Sequence, residues 1–242
     1  MIDRDLLTRC AADFGVDVDA VLSERLDTYA RLLVEWNEKM NLPAINDPTG
    51  IVIKHFADSL AAAPLLPEGE FSLLDVGTGA GFPGVPLALL RSDCRLTLLD
   101  SLNKRLIFLE TLCRELSLPV TLVHARAEEG GQRPALRESF DAVTARAVAA
   151  LPVLCEYCLP FVKVGGRFIA LKGPDAGREI NEAAHAMAVL GGRHRDTVIC
   201  RLPPVSAAEG EPMQRCLLRI DKIRPTPPKY PRPAVKIAKQ PL

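Results

Sequence analysis

A chain of 242 residues, 48% hydrophobic and 25% charged, can bury one large core carrying an extension, and its zero net charge gives no global bias toward anionic partners. No apolar run approaches the about 18 residues a membrane helix needs, which excludes a membrane span and sets the expectation of a soluble protein. The seven scattered cysteines lack the dense spacing of a secreted disulfide framework, and the acidic start Met1-Ile2-Asp3-Arg4-Asp5 lacks a secretory signal, so a cytoplasmic protein with reduced thiols is expected.

In chain order, a short helix is predicted around Asp5 to Phe14, ended by Gly15. Leu22, Leu26, Tyr29, Leu33, Trp36 and Met40 recur at helical spacing and mark one apolar face of a helix beginning near Asp19. Another helix follows Asp47-Pro48-Thr49 and runs through Ile53, Phe56 and Leu60 to Pro64. Residues 1–69 are therefore read as an N-terminal helical cap.

After Pro67-Glu68-Gly69 short apolar runs alternate with helical stretches, the pattern of a parallel sheet with crossover helices. Strands are expected at Ser72 to Val76, Arg95 to Asp100, Val120 to His124, Asp141 to Ala145 and Arg167 to Leu171. A long helix from about Pro174 to Leu190 precedes Thr197 to Leu202 and Arg215 to Ile220, which form a closing hairpin at the sheet edge. The expectation is an α/β, Rossmann-like, seven-stranded, mostly parallel sheet over residues 70–221. A basic, proline-rich tail occupies residues 222–242, with Lys222, Arg224, Lys229, Arg232, Lys236 and Lys239. That tail fits two readings, phosphate contacts to nucleic acid or a solvated disordered extension.

The chemistry concentrates where Asp75-Val76-Gly77-Thr78-Gly79-Ala80-Gly81 joins the first strand to a helix. Glycines there let backbone turn tightly and approach a ligand. A dinucleotide fingerprint would want glycine where Phe82 stands, and no lysine follows the loop as a phosphate-binding loop requires. The pattern D-x-G-x-G-x-G instead resembles motif I of class I S-adenosylmethionine-dependent methyltransferases. Asp100, ending the second strand, is placed to accept hydrogen bonds from ribose hydroxyls. Ala127-Glu128-Glu129 follows the third strand, where such folds contact adenine. After the fourth strand Ala145-Arg146-Ala147 replaces the Pro-Pro-aromatic motif of exocyclic-amine methyltransferases. An acceptor with a free lone pair, such as a guanine ring nitrogen, needs only alignment. Arg146 and Lys172, at the ends of the fourth and fifth strands, are the expected catalytic cations, Arg146 toward cofactor carboxylate or base and Lys172 toward a phosphate. Cys155 and Cys158 form a C-x-x-C without a second pair or a nearby histidine, and are read as small apolar residues on a helix, with no metal expected.

Taken together, Trp36-Asn37, Asn41-Leu42, Lys54-His55-Phe56, Asp58-Ser59-Leu60, motif I through Phe82-Pro83-Gly84, Asp100-Ser101-Leu102 with Lys104-Arg105, Ala127-Glu128, Ala145-Arg146-Ala147 and Leu171-Lys172-Gly173 resemble the RsmG (GidB) family nearly end to end. These are bacterial 16S ribosomal RNA guanine-N7 methyltransferases. The resemblance implies methylation of guanine 527 within 16S rRNA or the 30S subunit, with S-adenosylmethionine as cofactor, S-adenosylhomocysteine as product, and a monomeric enzyme. By matching motifs it implies a cofactor site of Asp75, Gly77, Gly79, Gly81, Phe82, Asp100, Ser101, Leu102, Ala127, Glu128 and Arg146. Lys104, Arg105, Lys172, Arg232 and Lys239 are the RNA-facing candidates. His55 and Asp58, one turn apart, are read as a structural hydrogen bond. Pro43 departs from the threonine common in the family. Two other readings remain open: a methyltransferase of this fold acting on a small molecule or protein, and a non-catalytic RNA-binding module.

Overall fold

Side-chain caps start the helices of the N-terminal third in the computed structural model, which describes residues 2–40, 45, 47–206 and 210–242. The Asp3 carboxylate accepts the Leu6 N–H at 2.8 Å at the head of α1 (Arg4–Ala12). Asp19 does the same for Leu22 at 2.7 Å at the head of α2 (Ala20–Met40). Leu22, Leu26, Tyr29 and Leu33 are buried along one face of α2, as the spacing predicted, and Trp36 tilts against Phe108. The Met40 side chain, the Asn41-Leu42 motif and Pro43 lie outside the described residues.

Asp47 caps α3 (Pro48–Gly50) through the Gly50 N–H at 2.6 Å. The predicted single helix then departs from α geometry: Ile51–Ala57 is a π-helix, and only Asp58–Leu60 returns to α form as α4. Ile53, Phe56 and Leu60 are fully buried in an apolar cluster that the N-terminal helices share with one face of the sheet. Within the π segment the Lys54 carbonyl accepts from the Arg146 side chain at 3.0 Å, so the π-helix lies against the end of the fourth core strand.

The core then alternates strand and helix: β1 (Phe71–Val76), α5 (Gly84–Leu90), β2 (Cys94–Asp100), α6 (Asn103–Glu115), β3 (Val120–His124), α7 (Ala127–Gly130), β4 (Phe140–Arg146), α8 (Leu151–Cys158) and β5 (Val162–Lys172). There follow α9 (Ala176–Glu182), α10 (Ala184–Leu190), β6 (Gly192–Leu202), β7 (Met213–Lys222) and α11 (Ala234–Lys239). The seven strands form one sheet in the order β3-β2-β1-β4-β5-β7-β6. β1 to β5 pair in parallel, and β7 runs antiparallel to both β5 and β6, giving the predicted edge hairpin. β6 starts at Gly192, earlier than expected, because Arg193 to Asp196 sit on an exposed edge where apolar alternation is lost. The long helix expected up to Leu190 is two helices broken at Ala183.

One sheet face packs against the cap, α5 and α6, and the other against α8, α9 and α10. Cys155 and Cys158 are buried free thiols on that second face. No helix among the described residues is long and apolar enough to cross a membrane. The tail is ordered: Tyr230 and Ile237 are buried, and Arg232 forms an ion pair with buried Glu156 at 2.6 Å. Of the two readings for the basic tail, the disordered extension is thereby set aside, because buried apolar and ion-pair contacts offset its ordering entropy.

Candidate active site

In an open α/β sheet ligands bind beyond the strand carboxyl ends, where the chain's winding reverses, here between β1 and β4. A cavity of about 350 Å³ opens there, lined by Gly77, Asp100, Ser101, Arg105, Arg126, Ala127, Glu128, Val148 and Tyr157 among others. Gly77 adopts φ +67°, and a Cβ on it would stand 2.9 Å from Val148 Cγ2, so only glycine lets the chain turn beside this wall. Ala147, also lining the cavity, holds a left-handed φ of +56°, a strained conformation for a residue with a Cβ.

Asp100 is 1% exposed, and its carboxylate accepts four contacts. The Gly79 N–H reaches it at 3.0 Å and the Leu102 N–H at 2.9 Å. The Arg105 Nη1 lies 3.1 and 3.5 Å from its two oxygens. A carboxylate offers about four acceptor positions. A further donor can reach Asp100 only by displacing Arg105, whose side chain is a third exposed.

The rest of the glycine loop is held from beneath and from the cap. Asp75 is fully buried, and accepts from Thr78 Oγ1 at 2.6 Å, Thr144 Oγ1 at 2.9 Å and the Gly84 N–H at 3.1 Å. Burial raises its pKa against those hydrogen bonds. It pins the loop and does not line the cavity. The Tyr29 hydroxyl donates to the Ala80 carbonyl at 2.5 Å. A Cβ on Gly81 would stand 2.6 Å from that hydroxyl, so Gly81 makes room for the cap. Phe82 is stacked between Tyr29, 5.0 Å away at 4°, and His55, 4.5 Å away at 17°. Gly81 and Phe82 thus belong to the cap–core seam.

Arg146 completes that seam. Its guanidinium donates to Asp58 Oδ2 at 2.8 Å and sits 5.0 Å over the Phe82 ring. His55 Nδ1 lies 3.4 Å from its Nη2, and burial followed by the Arg146 charge holds the imidazole down at about 4. The neutral ring can then accept from the guanidinium. Asp58, 3% exposed, also takes Arg215 Nε at 2.7 Å and Nη2 at 3.2 Å. No hydrogen bond joins the side chains of His55 and Asp58; each instead holds Arg146, correcting the expected pairing with each other.

Lys172 is engaged by protein: it donates to the Ala149 carbonyl at 2.9 Å and pairs with Glu179 at 2.7 Å. Glu179 also accepts the Leu151 N–H at 2.7 Å, so the two side chains brace the loop after β4. Arg232 is occupied by Glu156, while Lys104 and Lys239 are exposed. Ser101 and Ala127 with Glu128 line the cavity, and Leu102, the residue after Ser101, stands 43% exposed. Sequence reasoning missed Arg126, Tyr157, Arg215 and Glu179; none sits in a glycine, charge or spacing pattern that marks it.

The family profile described as rRNA small subunit methyltransferase G (GidB) matches residues 22–205. The chain belongs to this family. The Ribosomal RNA small subunit methyltransferase G of Acetivibrio thermocellus is 45% identical over 99% of this chain and 96% of its own length. That of Lactobacillus johnsonii is 45% identical over the full length of both. As a methyltransferase G family member, the protein has the class I S-adenosylmethionine-dependent methyltransferase fold. Among solved structures it is similar to M. jannaschii TYW2, crystallised with AdoMet, with a TM-score of 0.51 at 15% identity over 66% of this chain and 73% of that one. Geranyl diphosphate C-methyltransferase from Streptomyces coelicolor A3(2) gives 0.50 at 17% identity over 67% and 78%.

Proposed function

We propose that the protein transfers a methyl group from S-adenosylmethionine to N7 of guanine 527 in 16S rRNA, in the cytoplasm, by direct displacement without a covalent enzyme intermediate. The observation that carries the cofactor reading is the buried Asp100 carboxylate opening into the same cavity as Gly77, Ala127 and Glu128. These residues fit the group: Asp100 matches a ribose diol, and the Gly77 backbone lies bare beside the place where an amino-acid moiety must approach. Ala127 and Glu128 would flank the adenine.

Bound there, the cofactor supplies an electrophilic methyl group on a sulfonium. The chain's own task is then alignment and exclusion of competing reactions. Guanine N7 carries a lone pair in the neutral base, so no general base is needed. The cysteines support the absence of a covalent step: Cys155 and Cys158 are buried, and desolvation pushes both thiols up, away from the thiolate. Arg146, fixed by Asp58, His55 and Phe82, presents a cation suited to guanine O6 on the acceptor side. Exposed Lys104, Lys239 and Arg105 once released are suited to the RNA backbone. The wild-type chain should label unmethylated 30S subunits from methyl-labelled cofactor. Borohydride reduction followed by aniline should then cleave the RNA at the labelled guanine. Label at a ring position that resists this cleavage, or on protein, would overturn the acceptor assignment.

A further inference from the structure

The tail after β7 carries more contacts than a charged extension needs. Arg137, preceding β4, donates to four carbonyls: Gly131 at 3.0 Å, Tyr230 at 2.7 Å, Thr226 at 2.7 Å and Pro227 at 3.2 Å. One guanidinium therefore ties the end of α7 to three points of the tail. Gln132 adds a bond to the Pro231 carbonyl at 2.9 Å, and a Cβ on Gly131 would stand 2.9 Å from Pro231 Cγ. The tail lies directly on the segment that ends α7.

The second anchor falls on α8. Arg232 reaches both oxygens of Glu156, at 2.8 and 3.2 Å from Nε and 2.6 Å from Nη2, and its own N–H donates to Glu156 Oε1 at 2.8 Å. Glu156 is fully buried, so this bidentate pair is the acid's means of compensation. The next residue, Tyr157, lines the cofactor cavity, as do Ala127 and Glu128 of α7. Tyr230 packs into the apolar cluster to which Ala127 and Tyr157 also belong. Both helices that wall one side of the cavity are thus clamped from behind by the tail.

We propose that residues 223–242 are a strap that positions the cofactor site, with Arg232 acting through Glu156 on α8 and Arg137 holding the strap to α7. The strap sets cofactor affinity in the absence of RNA, and Arg232 is a positioning residue instead of an RNA contact. The proposal rests on the cavity being the cofactor site.

The test is titration of S-adenosylhomocysteine into the full-length protein without RNA, combined with steady-state kinetics on 30S subunits. Arg232→Met should raise the cofactor Kd about tenfold, equivalent to about 1.4 kcal/mol, and raise the cofactor KM while kcat at saturating cofactor and the KM for 30S hold. Arg232→Lys, which keeps the charge but not the fork, should recover part of the affinity. Because Arg232→Met strands a buried acid, Gln132→Ala serves as the milder variant; it removes only the Pro231 bond and should raise Kd about threefold. Unchanged cofactor Kd in both variants, or a raised KM for 30S alone, overturns the strap. A wild-type protein that fails to bind the titrant refutes the cofactor reading itself, which separates the two failures.

Discussion

Replacing Asp58 tests whether one buried acid on the cap holds the acceptor side of the site together. Its carboxylate takes three charge-assisted contacts, from Arg146 at 2.8 Å and from Arg215 at 2.7 and 3.2 Å, with the two arginine side chains only 12% and 19% exposed. Removing one partner of a buried pair costs about 3 to 5 kcal/mol, because the remaining charge stays desolvated. Asp58→Ala leaves two guanidiniums uncompensated and should lose about 4 kcal/mol. Asp58→Asn keeps an acceptor oxygen but no charge, and should lose about 2 to 3 kcal/mol. Either loss is a large share of the roughly 5 to 15 kcal/mol of a typical domain. Urea unfolding reads the loss as a lower midpoint at constant slope. Adding Arg215→Met to Asp58→Asn removes one stranded cation, so the double variant should be more stable than the two single losses predict by about 1 kcal/mol or more. Methyl transfer by Asp58→Asn should drop at least about tenfold, since Arg146 loses its fixed orientation. Strict additivity in the cycle together with wild-type turnover would refute the reasoning.

Gly77→Ala forces a left-handed Cβ, costing about 1 to 2 kcal/mol, and drives the methyl against Val148 in the cavity wall, so cofactor affinity should fall more than about tenfold. Gly79→Ala at φ +62° meets nothing within 4 Å, and should show the strain in its thermal midpoint with a much smaller affinity loss; equal affinities in the two variants would remove Val148 from the site. His55 stays neutral in the fold down to about 4, whereas an unfolded histidine takes up its proton near 6.5. Its contribution is intact above pH 6.5 and is lost as pH falls toward 4, by about 2 kcal/mol at pH 5. His55→Gln should flatten the fall in urea midpoint between pH 7 and 5, and an identical fall in both proteins would show that His55 titrates normally. Glu179→Gln should loosen the loop after β4, which carries Ala147 and Val148 of the cavity wall, and so weaken cofactor binding; amide exchange in residues 147–151 should rise, and unchanged exchange would argue that Lys172 and Glu179 do not brace it.

What the sequence disclosed is what is local. The α2 face is periodic, β1 and β2 are short apolar runs, and the loop from Asp75 to Gly84 with Asp100 follows a fixed order along the chain; each could be read from neighbouring residues. The Asp58–Arg146–Arg215 cluster joins groups far apart in sequence on the cap, β4 and β7, and no pairwise spacing announces it. Gly81 was legible as a member of the glycine loop, but its contact with Tyr29, which its missing side chain admits, joins loop and cap across the fold and has no local signature. Lys172 and Arg232 were legible as cations, but their acid partners Glu179 and Glu156 lie on helices whose facing could not be fixed from composition. The early start of β6 escaped because an exposed edge strand needs no apolar alternation. The tail's order escaped because its prolines and charges resemble those of disordered chain, whereas its fold depends on Arg137 and Glu156 elsewhere.

The central claim, that the cavity beyond β1 and β4 is the methyl-donor site, is tested most directly by a crystal structure of the full chain with S-adenosylhomocysteine. The account predicts both ribose hydroxyls on the Asp100 carboxylate, Arg105 displaced from it, and adenine flanked by Ala127 and Glu128. A ligand bound elsewhere, or one in this cavity with the Arg105–Asp100 pair intact and the ribose unbonded to Asp100, would contradict it.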